Sequence, residues 1–376
     1  MNPDPRKTPL YDEHVRLKGK MADFSGWWMP LWYPTGQSTE HHAVRNHCGM
    51  FDTCHMGEFK ITGSGSLPFL SRILSNAVDG IVDNQVQYNH MFNEHGGVLD
   101  DCILYRFDSE NWMLVVNAGD IETDFKWLTT HLSGKVQINN VSDQTVKIDI
   151  QGPNTPKLML NWIKREELIE LRFFHFLPDV NIEGMNVLVS RTGYTGEIGF
   201  EIYTDVHHGS RLWQLLLKEG ASFGLQPCGL GARDTLRTEA GLPLHGHELH
   251  PGRIGLGHPW EFAIDWDHDF IGRKILLNKR DRLDFFVVPF IIDGRRKAMP
   301  GWEVVSDNEV IGSVLSGVIS PTLNNTPIGF AGLRFHPEPG TQIHFKQKDH
   351  DLLLSGQVAE IPFVKGTSRK KMVVFI

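Results

Sequence analysis

FKITGSGSLPFLSRILSN, residues 59–76, reads as an apolar strand, a glycine turn, and a helix with proline in its first turns and apolar residues at helical spacing. VKIDIQGPNTPKLMLNWI, residues 146–163, repeats that order. Two strand–turn–helix units in the first half of the chain predict a duplicated α+β domain whose sheets pack together. From about residue 284 the pattern changes to short β-rich runs (FFVVPFII, WEVV, VIGSVLSGVIS, GFAGLRF, TQIHF) separated by turns, the pattern of a small antiparallel barrel. The expected fold class is α+β in three domains: 1–150, which includes an aromatic- and turn-rich wrapping segment at its start, then 151–283, then the barrel at 284–376. A chain of 376 residues is too long for one ordinary core.

Between the repeats lies NEHGGVLDDCILY, residues 93–105, a turn on Gly96 and Gly97 feeding an apolar strand with two adjacent carboxylates at its mouth. Side chains alternate across a strand, so Asp100 and Asp101 point to opposite sides, one inward and one toward solvent. An inward carboxylate among Val98, Leu99 and Ile103 is either paired or catalytic, because burying a bare charge is costly. A turn-flanking Asp that caps backbone amides is the plainer reading. The strand NWMLVVN that follows ends on Asn117, an amide suited either to orienting a ligand or to capping the strand.

Composition narrows the class. Hydrophobic residues make up 40% and charged residues 22%, ordinary values for a soluble globular protein. No apolar run approaches the ~20 residues that cross a bilayer, and MNPDPRKTPLYDEHV has neither a signal-peptide core nor an amphipathic transit pattern, so a cytoplasmic protein is expected. A net charge of −8 argues against a general nucleic-acid or anionic-membrane binder. Cys48, Cys54, Cys102 and Cys228 have no CxxC spacing and read as reduced interior residues.

In SRTGYTGEIGFEIY, residues 190–203, the glycines do not make a dinucleotide loop, because residues 200–203 continue as a strand rather than a helix. The segment reads as strand–turn–strand, with Tyr194 in the turn and Glu201 facing a pocket or solvent. Gly229 and Gly231 lead into a helix expected from about Arg233, whose N-terminus would favour an anion; pairing of Arg233 with Asp234 or Glu239 is the structural alternative. His245, His247, His250 and His258 lack the helical i, i+4 spacing of zincin-type sites, and no metal is expected.

At this point the motifs carry a resemblance. TPLYDEHV (8–15), DFSGWWMP (23–30), FDTCHMGE (51–58), NEHGGVLDD (93–101), VVNA (115–118), RTGYTGEIGFEIY (191–203), PCGLGARDTLRTEAGLPLHGHEL (227–249), DFIGRK (269–274), SGVISPTL (316–323) and IPFV (361–364) follow one another as they do in the T-protein of the glycine cleavage system, the tetrahydrofolate-dependent aminomethyltransferase family, which the sequence resembles over nearly its whole length. That resemblance implies a three-domain cloverleaf around a central folate hole. It implies Asp100 as the essential carboxylate beside folate N5 and N10, with Met56, Tyr88 and Asn117 near that point and Tyr194, Glu201 and Arg233 around the pterin. A carboxylate such as Glu201 can accept a planar donor pair, and an aromatic face such as Tyr194 suits a flat ring. The implied reaction moves an aminomethyl group from a lipoyl carrier protein to tetrahydrofolate and releases ammonia. Two departures open an alternative. GLGHPWEF (255–262) puts His258, Pro259, Trp260 and Phe262 where family members have smaller residues and a Trp, and the third domain's usual Arg, expected near Met299, falls on Pro300 or Gly301, with Arg295 or Arg296 as candidates to compensate. An aromatic wall suits a small cationic methyl donor, which would make the chain a folate-dependent demethylase. A non-enzymatic folate-binding protein is the third reading, disfavoured because a KGCYxGQE signature is absent.

Overall fold

The computed structural model describes residues 4–347, 350 and 352–376. Each repeat supplies one strand to a separate sheet. Gly57–Thr62 belongs to a five-stranded antiparallel sheet ordered Gln85–Phe92, Val98–Arg106, Asn111–Val116, Gly57–Thr62, Gln137–Asn140. Thr145–Gln151 belongs to a six-stranded sheet ordered Phe176–Ile182, Met185–Ser190, Gly199–Asp205, Thr145–Gln151, Cys48–Asp52, Leu225–Pro227. In both, the repeat strand is followed in sequence by three hairpin-connected strands and lies beside the last of them, so the duplication extends to topology.

The glycine turn after each repeat strand has the same physical basis. Gly63 and Gly152 take φ of +120° and +127°, in the region that L side chains avoid. A Cβ would also lie 2.2 Å from the Lys135 carbonyl oxygen at the first and 2.6 Å from the His47 and Val44 carbonyl oxygens at the second. Each turn launches a helix whose apolar side closes on its own sheet. Phe69, Leu70 and Ile73 of Ser66–Ile73 pack with Phe59, Ile61, Leu104 and Leu114, and Leu158 and Met159 of Thr155–Met159 pack with Ile148 and Ile150.

The sheets face each other across Val86, Tyr105, Met113, Phe176 and Tyr203. The Tyr105 and Tyr203 hydroxyls meet at 3.0 Å, and backbone bonds from Val86 N–H to Phe174 O and from Phe176 N–H to Asn84 O join their edges. The sheets do not divide at residue 150, because Cys48–Asp52 crosses early in the chain to pair with Thr145–Gln151. The C-terminal runs close into a six-stranded antiparallel barrel, in agreement with the sequence pattern. The N-terminal segment forms a small three-stranded sheet, pinned to the second sheet where Thr8 and His14 bond to the buried Asp52. Among the described residues no helix is long and apolar enough to cross a membrane.

Candidate active site

Between the sheets and the barrel lies a cavity of about 1550 Å³. That exceeds the roughly 300–1000 Å³ of an ordinary small-molecule site, and it leaves room for an extended ligand and a second reactant.

The strand Val98–Arg106 carries the carboxylates to it, and the structure reverses the expected assignment. Asp101, not Asp100, borders the cavity. A β-bulge at Leu99 offsets the pairing with the neighbouring strand, so the alternation that holds from residue 100 onward does not continue through the turn. From there Asp100, Cys102 and Leu104 face the helices that cover the sheet, while Asp101, Ile103 and Tyr105 face the second sheet. Neither Asp points to solvent as expected: Asp100 is fully buried beneath the helix Ile121–Thr130. There it accepts from the Asn117 backbone N–H at 2.9 Å, from Asn117 Nδ2 at 2.7 Å and from the Asp101 N–H at 2.9 Å. Asn117 Nδ2 also reaches Asp101 Oδ1 at 3.0 Å, and the Tyr88 hydroxyl donates to Asp101 Oδ2 at 2.9 Å. Asp100 therefore positions Asn117, and Asn117 with Tyr88 aims Asp101. Burial and the charge of Asp100 push Asp101 up to about 6. That brings the carboxyl close to neutral pH, the range suited to a proton acceptor.

On the facing sheet Glu201 borders the cavity beside Lys147, a buried amine that lies 3.4 Å from Glu201 Oε2 and donates to Met56 Sδ at 3.3 Å. Tyr105 and Tyr203 donate to the same Oε2 at 3.1 and 2.9 Å, which leaves Oε1 for a ligand N–H. Tyr194 and Arg233 form another part of the wall, with the guanidinium 4.8 Å from the tyrosine ring. Arg233 pairs with Asp149 at 2.8 Å, a partner not anticipated from sequence. Its helix begins at Leu230, earlier than expected, and the anion at its N-terminus is internal: Glu40 accepts the Gly229 N–H at 2.9 Å. Burial pushes the Glu40 carboxyl up while those backbone donors pull it down.

The structure therefore gathers Met56, Tyr88, Asn117, Tyr194, Glu201, Arg233, Trp260 and Phe262 around one cavity. It excludes two named residues, Asp100 and His258. His258 sits behind the wall, packed against His90 and Trp260, with burial pushing its ring down to about 4. The Trp260 indole N–H donates to the Gly241 carbonyl at 2.9 Å, which fixes the ring as a wall, and Phe262 stands 66% exposed at 6.0 Å from the Tyr88 ring. The four histidines do not converge: His245 bonds Asp120, His247 faces the Leu315 carbonyl, His250 accepts from Gly252, and His258 accepts from Trp260. In place of the third-domain Arg, Lys297, Met299 and Pro300 border the cavity, while Arg295 is turned to the Asn324 carbonyl. Sequence reasoning missed Asp101, Lys147 and His245. No sequence signal marked Asp101, because the face it shares with Ile103 and Tyr105 is known as the inner one only once Tyr105 meets the second sheet. The signal for Lys147 was its place between Val146 and Ile148, a charge on an apolar strand that needs a partner.

A duplicated α+β core and a barrel enclose a large cavity with ionisable groups aimed into it, a site suited to catalysis. The family model described as the GCVT N-terminal domain matches residues 10–268. An aminomethyltransferase of Caldanaerobacter subterraneus subsp. tengcongensis is 44% identical over 333 residues, 87% of each chain. One of Halalkalibacterium halodurans is 41% identical over 371 residues, 96% of this chain and 98% of its own. Among solved structures, the glycine cleavage system aminomethyltransferase T from Bartonella henselae superposes with a TM-score of 0.89 at 29% identity, covering 97% of this chain and 99% of that one. The chain belongs to the GCVT aminomethyltransferase family and is an enzyme, and these relationships favour that reading over the demethylase and the non-enzymatic binder.

Proposed function

We propose that this cavity carries out the aminomethyl transfer of glycine cleavage, from the lipoyl thiol of a carrier protein to tetrahydrofolate, with Asp101 in the role that the sequence motif assigned to Asp100. Bound tetrahydrofolate supplies N5 and N10 as acceptors of the methylene carbon, and ammonia and the free lipoyl thiol leave. The residues present fit that ligand. Glu201 offers a free carboxylate oxygen to the pterin's N–H donors, Tyr194 offers a ring face, and Lys297, Lys365, Arg369 and Lys370 border the cavity with charge opposite to a glutamyl tail.

Asp101 is the observation that carries the reading. It is the strand carboxylate that reaches the cavity, it is oriented by Tyr88 and Asn117, and it is held at about 6 by burial and by Asp100. Such a group takes up the proton released as a folate nitrogen bonds to carbon, and its negative charge stabilises the positive charge that develops beside it. Asn117 and Tyr88 keep the carboxylate from turning back into the sheet. Trp260 and Phe262 line the cavity, and its volume of about 1550 Å³ leaves room for a lipoyl arm beside the folate. The site of action is taken to be the cytoplasm.

The test is an assay of purified protein with tetrahydrofolate and either aminomethyl-lipoyl carrier or a panel of methylated sulfonium and ammonium compounds. Methylene-tetrahydrofolate with stoichiometric ammonia is the expected product. Methyl-tetrahydrofolate from a small cationic donor would replace the proposal with demethylation.

A further inference from the structure

His245 borders the cavity next to the Asp100–Asp101 pair and has only 7% of its side chain exposed. Both of its ring nitrogens face acceptors. Nδ1 lies 2.9 Å from Asp120 Oδ2 and 3.7 Å from Asp100 Oδ1, and Nε2 lies 3.3 Å from the Val98 carbonyl oxygen. A neutral imidazole carries one N–H, so one nitrogen lone pair would oppose an oxygen lone pair; the doubly protonated ring satisfies both contacts.

The charges around it call for a cation. Around the Asp100–Asp101 pair stand Cys102 from the same strand, Tyr88 and His90 from the neighbouring strand, Asp120 and Asp124 from the following helix and its cap, and Tyr194 and His250 from loops, with Arg237 and Arg233 acting on Tyr194 and Arg253 on His250. Asp124 holds its own proton. Burial, then the charge of Asp100 beside it, push Asp124 up to about 11, and its carboxyl oxygens meet no N–H donor. Burial pushes the rings of His90 and His250 down, so neither supplies a compensating charge. That leaves His245 facing Asp100, Asp101 and Asp120.

We infer that His245 is a fixed imidazolium in the cavity wall and a positioning residue for the transfer, its charge keeping the Asp101 carboxylate ionised at neutral pH; the second part rests on the aminomethyl-transfer reading of the cavity. The titration behaviour agrees. Burial works against a charged ring, yet the bond to Asp120 and the charges of Asp100 and Asp101 lift His245 to about 9. Burial and Asp100 raise Asp101, and His245 pulls it back toward the ionised form.

The full chain serves for the test. In protein labelled with 15N-histidine, with the His245 signals identified by their loss in H245N, both ring nitrogens should show the imidazolium shift at pH 8. A neutral-tautomer shift there would overturn the inference, whatever the assay reads. In the folate-dependent assay, H245N should move the acidic limb of kcat/KM upward by about one pH unit. The loss against wild type is then about fivefold at pH 6 and shrinks as the pH rises. An unmoved limb, or an equal loss at every pH, would overturn the positioning role. If the wild-type chain shows no folate-dependent turnover, the aminomethyl reading fails, and the 13C carboxyl titration of Asp101 in H245N and wild type still decides the electrostatic part. An unchanged Asp101 titration would overturn it.

Discussion

Replacing each of the two strand carboxylates by its amide separates aiming from chemistry. Asp101→Asn removes the proton acceptor while keeping shape, and loss of a positioned base or of a charge beside the reacting atoms lowers turnover by about 10² to 10⁴. Its effect on stability should have the opposite sign. A carboxyl held at about 6 rather than 3.8 makes ionisation about 3 kcal/mol less favourable in the folded chain than in the unfolded one at neutral pH. Because the folded value is raised, stability is full below the unfolded value, falls as the pH climbs toward 6, and stays low above it. A neutral amide lacks that penalty, so Asp101→Asn should melt above wild type at pH 7.5 and match it near pH 4. Asp100→Asn should lose stability instead, since the donors it leaves unmet outweigh the burial that pushes its own carboxyl up, and should lose part of the turnover through the displaced Asn117. Its amide NH₂ meets donors from Asn117 and Asp101 where an acceptor is needed, which costs about 1–3 kcal/mol. Calorimetry and methylene-tetrahydrofolate formation on the same preparations decide the matter. Asp101→Asn with turnover within threefold of wild type, or Asp100→Asn losing turnover with its melting temperature intact, would refute the assignment of Asp101.

Glu201→Gln should raise the folate KM by about 10- to 100-fold, the worth of a charge-assisted bond, and change kcat little; a fall in kcat with KM unchanged would place Glu201 in the chemistry instead. Asp52 is pulled down to about 2 by bonds from His14, Cys54 and Thr8 that outweigh its burial. Its stabilisation of about 2 kcal/mol is therefore present above pH 4 and lost as the pH falls toward 2. Urea midpoints should drop across that window in wild type and much less in Asp52→Asn, and parallel titrations would refute the point. Trp260→Ala should destabilise by about 3–5 kcal/mol as a buried wall residue, whereas exposed Phe262→Ala should leave the unfolding midpoint in place and alter only the kinetics of the carbon donor.

The sequence by itself determined the architecture. Glycines at the two repeat turns, strand and helix periodicities on either side, and the change to short turn-separated strands near residue 284 are local signals. Local sterics and burial patterns enforce them, so duplicated sheets and a barrel could be read without coordinates. The motif order likewise brought most of the cavity residues into view. What only the tertiary structure decided was orientation and charge. A one-residue bulge at Leu99 set the register in which Asp101 reaches the cavity and Asp100 lies under a helix, and no composition marks a bulge. Partners far apart in sequence settled the rest: Asp149 for Arg233, Lys147 for Glu201, and Asp120 for His245. Each depends on two sheets meeting or a loop folding back. The field at a titratable group falls off over a few ångströms of space, and a chain position carries no record of what lies at that distance.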